Sequence, residues 1–240
     1  MRLWHILLFV LVLGVTAVAF APMRVFLPQK PDGLSYGSVD GTIWQAKFDD
    51  ARLGNLALGA ADWRMSLREL LQNRLVADVS LSGGTLEGDL RVLANRRGDR
   101  RLGAAVLEMK GAPIGPLAAL PGGKTVLRDV DVMFIDGRCQ GATGTAVSDV
   151  LAVNRTLLAG FGPALSGVLR CDGDAAELKL EGQDSGARLS VRLLFRPDGA
   201  GEWRAVVEGA RPEVAAALGA MGFNMTGEVS AGGELRWLAF

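Results

Sequence analysis

The sequence predicts a mainly β protein: a large twisted, curved antiparallel sheet with a few short helices, preceded by one N-terminal transmembrane helix. Three observations carry this. Leu3–Ala21 runs for nineteen residues without a charge. From Gly33 onward, apolar and polar residues alternate with period two, and glycine-rich turns interrupt them. Helical periodicity appears only in short segments, far fewer than the strand-like ones.

The apolar stretch comes first. At 1.5 Å per residue a helix over Leu3–Ala21 spans roughly 28 Å, close to the hydrocarbon thickness of a bilayer. Arg2 before it favours a cytoplasmic N-terminus. A cleaved leader is the competing reading, since Ala19-Phe20-Ala21 has the small-x-small pattern. Against it, cleavage there would leave Pro22 first, and the apolar run exceeds the 7–15 residues of a usual leader. Either reading places the bulk of the chain outside the cytoplasm. The expected organisation is an anchor over 1–21, a connector over 22–32 with three prolines, and a periplasmic β domain over 33–240. A lobe boundary near residue 125 is allowed.

The strands are expected at Gly41–Phe48, Arg52–Leu58, Ala60–Leu67, Leu102–Met109, Thr125–Ile135, Ser166–Cys171, Ala176–Glu181, Ala187–Phe195 and Trp203–Glu208. Alternation around Val79, Leu81, Leu86 and Leu90 flanks Ser82-Gly83-Gly84-Thr85, a hairpin signal because both glycines accept positive φ. Gly232-Gly233 is expected to turn the chain in the same manner. In AELKLEG, Leu178 and Leu180 point one way and Glu177, Lys179 and Glu181 the other. One face is therefore buried and the other wetted. Helices are expected at Ser66–Leu75, with Ser66 as cap, at Ala146–Gly160, at Arg211–Met221, where Pro212 opens the first turn, and as one turn at Ile114–Leu120.

Composition excludes several functions. Without Arg2 the chain carries 25 basic against 26 acidic residues, which is not the basic balance of a nucleic-acid binder. The only histidine, His5, lies in the apolar stretch, so the domain has no imidazole for a nucleophile–base pair or a zinc site. Asp49-Asp50 and the Asp129/Asp131/Asp136 group are the dense carboxylates; Asp129 and Asp131, two apart on an alternating strand, share the solvent side and read as a wet strand face rather than a catalytic pair. Gly141-Ala142-Thr143-Gly144 lacks the lysine of a phosphate loop. The expectation is a non-enzymatic protein with no catalytic residues, metal or cofactor.

Cys139 and Cys171 are the two cysteines, and an oxidising compartment predicts a disulfide between them. Trp44 and Trp63 are either packed aromatics with bonded indoles or anchors of a partner surface. Trp203 and Trp237 invite the same comparison and read as nearer the core. Arg96 and Arg97, in Asn95–Arg101, form a charged hairpin tip. It is either a solvated turn or a contact for acidic loops or lipid headgroups.

Taken in order, these residues resemble one family. A single N-terminal helix precedes G-x-V-x-G-x-x-W (Gly37, Val39, Gly41, Trp44), and a second Trp strand with a small helix covers Trp63–Leu75. Gly160–Gly167 then leads to Leu169-Arg170-Cys171, with Cys139 upstream, and Ala217–Phe223 precedes the final strands. The set resembles protein N of the bacterial type II secretion pathway over nearly the whole chain. The resemblance implies a single-pass inner-membrane protein accessory to that machine. Its implied partners are other inner-membrane components and the outer-membrane secretin. A runner-up from another class is an envelope protein that binds or guides lipid in a curved β groove.

Overall fold

The computed structural model describes Leu13, Thr16 and residues 20–26, 34–54, 56–111, 115–225 and 229–236. The predicted membrane helix over Leu3–Ala21 lies almost wholly outside the described residues, as does Trp237. Among the described residues no helix is long and apolar enough to cross a membrane.

All fourteen strands join one antiparallel sheet in chain order. After a helical turn, α1 (Met23–Phe26), come β1 (Leu34–Ser35) and β2 (Ser38–Gly41), which lie end to end along one side of β3 (Gln45–Leu53). The sheet continues with β4 (Leu56–Met65), β5 (Arg74–Gly83), β6 (Leu86–Asn95) and β7 (Arg100–Lys110). Then follow β8 (Lys124–Ile135), β9 (Arg138–Ser148), β10 (Leu165–Asp172) and β11 (Ala175–Asp184). β12 (Ala187–Phe195), β13 (Ala200–Glu208) and β14 (Val229–Arg236) close the series. β7 and β8 pair without interruption at Met109–Thr125 and Lys110–Lys124, so the sheet is continuous past residue 125.

The helices are short insertions. α2 (Leu67–Leu71) links β4 to β5, α3 (Val150–Val153) follows β9, and α4 (Pro212–Ala220) precedes β14; a 3₁₀ turn covers Gly115–Ala119. Ser66 caps α2 by accepting the Glu69 N–H, as expected, but the helix stops well before Leu75. Asn73 takes a left-handed conformation (φ 60°) and turns the chain into β5.

Several elements differ from expectation. The predicted strand Gly41–Phe48 divides at Gly41, where a Cβ would lie 2.3 Å from the Gln45 carbonyl. The predicted strand Arg52–Leu58 is a hairpin, with Leu53 opposite Leu56. The predicted helix Ala146–Gly160 is largely absent. Its first residues complete β9, with Ala146 and Val147 paired to both neighbouring strands. The helical turn that follows is stopped by Asn154, whose side-chain amide donates to the Val150 and Pro121 carbonyls. Such side-chain bonds compete with the helical ladder. Gly232-Gly233 is not a turn but lies inside β14, paired with Arg204 and Trp203. A Cβ on Gly233 would meet the Trp203 Nε1 at 2.9 Å, and one on Gly115 would meet Cζ2 at 2.1 Å. The bare backbones of Gly115 and Gly233 make room for the indole, which is buried between them.

One face of the sheet is apolar. From β7 to β14 it is filled by Leu107, Val132, Leu169, Leu178, Leu180, Leu189, Val191, Trp203 and Val207, packed with Leu151, Leu158, Phe161, Val214 and Leu218. A smaller cluster under β3–β5 holds Ala46, Phe48, Leu58, Ala61 and Leu81, and Leu86 and Leu90 pack against both. The sheet is also curled: the Arg100 guanidinium at the start of β7 donates to the Pro197 carbonyl in the β12–β13 turn.

Bulges help it bend. Register shifts occur at Phe48/Ala51 in β3, Gly88/Arg91 in β6 and Arg128/Asp131 in β8. Asp50 and Asp129 adopt left-handed φ there. A bulge bends its strand and strengthens the local twist. It also changes which residues face inward: in β8, Thr125 is buried before the bulge and Val130, Val132 and Phe134 after it.

The opposite face is charged. As expected, Leu178 and Leu180 point into the core, yet Glu177 is also 1% exposed. It lies beneath Arg170, which donates at 2.5 Å, and Arg192, which bonds both Glu177 and Asp172. Burial alone would raise the Glu177 carboxyl; the bonds from Arg170 and Arg192 outweigh it and hold the group below its ordinary value. A lowered folded-state value means that this stabilisation is complete above the ordinary glutamate range, near pH 4.3, and is lost as pH falls through the lowered value. Glu177→Gln should therefore lower stability by about 1–3 kcal/mol at neutral pH. Urea melts between pH 7 and pH 3 should show the gap between variant and wild type shrinking with acid; a constant gap would refute the assignment.

Candidate functional site

The candidate contact residues Trp44, Trp63, Arg96 and Arg97 gather at one end of β2–β7. The antiparallel order dictates this: the β2–β3 turn, the β4–β5 connection and the β6–β7 tip all leave from the same end. The Trp63 indole N–H donates to the Ile43 carbonyl at 3.2 Å, and the ring packs on the smaller apolar cluster. Trp44 is half-buried, and its carbonyl accepts the Met65 N–H at 2.8 Å. Both tryptophans thus hold the Ile43–Trp44 turn against the end of β4.

The chain leaving the apolar N-terminal stretch arrives at the same turn. The Ile43 N–H donates to the Ala21 carbonyl at 3.1 Å, Pro22 pairs with Thr42, and Met23 packs on the smaller cluster. Arg96 and Arg97 are exposed on a tip shaped by Asn95, whose side-chain oxygen accepts the N–H groups of Arg97 and Asp99. Arg74 pairs with Asn95 across β5 and β6, so this tip adjoins the α2 connection.

Sequence reasoning missed two features. Leu67, Leu70 and Leu71 mark a helix by their spacing, but they are 53, 40 and 80% exposed; the heptad-like pattern signalled the helix without revealing that its apolar side is uncovered. The second is the outer edge of β14. Asn224 pairs with Ser230 there, and among the described residues nothing pairs along Ala231–Arg236. Reading Gly232-Gly233 as a turn hid this edge.

The carboxylates hold structure. Asp131 accepts both Arg101 Nε and Nη2, at 2.7 and 2.5 Å; these bonds hold its carboxyl below the usual range. Asp129 sits in a bulge and Asp136 in the β8–β9 turn. Asp49 accepts the Ser38 hydroxyl at 2.9 Å. Cys139 and Cys171 form the disulfide, with Cα atoms 5.6 Å apart.

This disulfide-stapled meander matches a known family over residues 32–231, the one described as Type II secretion system (T2SS), protein N. The chain belongs to the type II secretion system protein N family. A curated relative, the type II secretion system protein N of Vibrio cholerae serotype O1, is 33% identical over 81 residues, covering 33% of this chain and 32% of that one. The aligned part thus spans about a third of the relative's length. No solved structure matches. The family match covers β1 to β13 and ends at Ala231 in β14, so the contact end belongs to the matched region, whereas the open edge beyond Ala231 lies outside it.

Proposed function

We propose that this chain is a non-enzymatic, single-pass inner-membrane component of the type II secretion system. Leu3–Ala21 anchors it with the N-terminus in the cytoplasm, Pro22–Asp32 forms the connector, and the β domain lies in the periplasm. Membership of the protein N family over residues 32–231 is the observation that carries this reading. The periplasmic domain docks on neighbouring components of the machine, inner-membrane proteins or the secretin, by strand addition at β14. An open edge supplies unpaired backbone donors and acceptors for such pairing, and an oxidising compartment suits the Cys139–Cys171 bond.

Topology is tested by fusing a reporter phosphatase after Phe240 in the full chain. It should be active, and a cytoplasmic reporter at the same position should be silent; the reverse would overturn the orientation. Docking is tested with a photo-crosslinking residue at Glu234 on β14 and a control at Glu213 on α4. Glu234 should capture secretion-system proteins that Glu213 does not. Equal capture, or none at Glu234, would reject the edge as the docking site.

A further inference from the structure

The exposed leucines of α2 and the arginines around them form a surface that the docking reading does not use. Leu67, Leu70 and Leu71 fall at i, i+3 and i+4, on one side of the helix, and none of the α2 residues is buried. Arg68 and Arg74 flank them within the same connection, and Arg96 and Arg97 stand on the adjoining tip, held there by the Arg74–Asn95 pair. Among the described residues these four guanidiniums form no ion pair. The carboxylates within the two segments are Glu69, half-buried near the Ser66 cap, and Asp99, which accepts the Asn95 amide at 2.7 Å. The result is an apolar spot bordered by free positive charge.

The apolar N-terminal stretch ends beside this spot. Ala21 is tied to Ile43, and Ile43 to the Trp63 indole; Met65, one residue before the Ser66 cap, is tied to Trp44. Phe20 is exposed at the same junction. A membrane anchor ending at Ala21 therefore delivers α2 to the bilayer surface rather than away from it.

We propose that α2 and the β6–β7 tip form a foot in the interfacial layer of an anionic phospholipid bilayer. Leu67, Leu70 and Leu71 enter the acyl boundary, and Arg68, Arg74, Arg96 and Arg97 meet lipid phosphates. Short amphipathic segments bind membranes by this combination of buried apolar side chains and basic residues, and long arginine side chains reach the headgroups while their stems stay in apolar surroundings. The foot fixes the tilt of the β domain and leaves β14 free. It rests on the anchor reading above.

The test uses the full chain reconstituted in vesicles of phosphatidylethanolamine with a minor share of phosphatidylglycerol. An environment-sensitive fluorophore is placed on L71C, and on L157C in the loop after α3 as a control. Retention after an alkaline wash reports the anchor separately. Nitroxide-bearing lipid should quench the Leu71 probe several-fold more than the Leu157 probe, and a water-soluble quencher should do the opposite. Arg96→Glu with Arg97→Glu, or vesicles without the anionic lipid, should reduce the lipid quenching while the chain stays bound. A retained chain whose Leu71 probe is as water-accessible as the Leu157 probe overturns the foot and leaves the anchor standing. A chain released by the wash overturns both.

Discussion

Reduction of the Cys139–Cys171 disulfide, or its replacement by two alanines, is expected to lower stability by about 3–4 kcal/mol, the loop-closure value for a bridge of this span. For a domain of about 200 residues this corresponds to a fall in melting temperature of roughly 10 °C. The bond acts where the pairing of β9 with β10 ends. β9 and β10 pair only from Ser148–Leu165 to Thr145–Val168; beyond Val168 the two strands part. At the parted ends the disulfide and the Cys139 N–H to the Asp174 carbonyl, at 3.1 Å, span the gap. Thermal melts of oxidised wild type, reduced wild type and the double-alanine variant test this. Reduced wild type and variant should melt together, well below the oxidised protein. Coincidence of all three would show that the bridge contributes nothing. Hydrogen exchange should also speed up around residues 139–143 and 169–174 on reduction.

Trp203→Ala is expected to cost about 3–5 kcal/mol, the range for truncating a buried large aromatic. The indole is 8% exposed and fills the space between Gly115 and Gly233, where no side chain fits beside it. It therefore fastens the 3₁₀ turn and β14 to the body of the sheet at once. Gly115→Ala should be destabilising with Trp203 present, by about 1–3 kcal/mol as an overpacked contact, and less so once Trp203 is alanine, when only the strain of a side chain at the left-handed φ of 49° remains. Chemical denaturation of the two single variants and the double variant measures this coupling. Simple additivity would contradict the sandwich.

The period-two pattern revealed most of the sheet because most strands have one wet and one dry face. Leu178 and Leu180 in β11, and Leu189, Val191 and Leu193 in β12, are the clearest cases. The pattern failed where the pleat was reset or the backbone mattered more than the side chain. β9 was missed because its Ala146-Val147-Ser148 end runs on into Val150 and Leu151, so alternation merges with a helical spacing. The bulge at Asp129 switches the inward residues of β8 midway, which weakens the signal across Thr125–Ile135. Gly232-Gly233 looks like a turn because the chain offers no sign that an indole thirty residues earlier needs the room. Glu177 was expected on the wet face, and it is there, but only the folded sheet brings Arg170 and Arg192 over it. At the contact end, residue type singled out Trp63 and Arg96, while the uncovered state of Leu67, Leu70 and Leu71 depends on how α2 lies on β5. No local spacing encodes that.

From β3 onward, each new strand lies against the one made just before it. A chain emerging N-terminus first can thus add strands as they appear, without waiting for distant partners. At every stage such growth carries one raw rim, which the next segment covers. β14 is the last described strand of the series, and along Ala231–Arg236 no described segment pairs with its outer side. A passing vacancy for β3 to β13 becomes a standing invitation at β14.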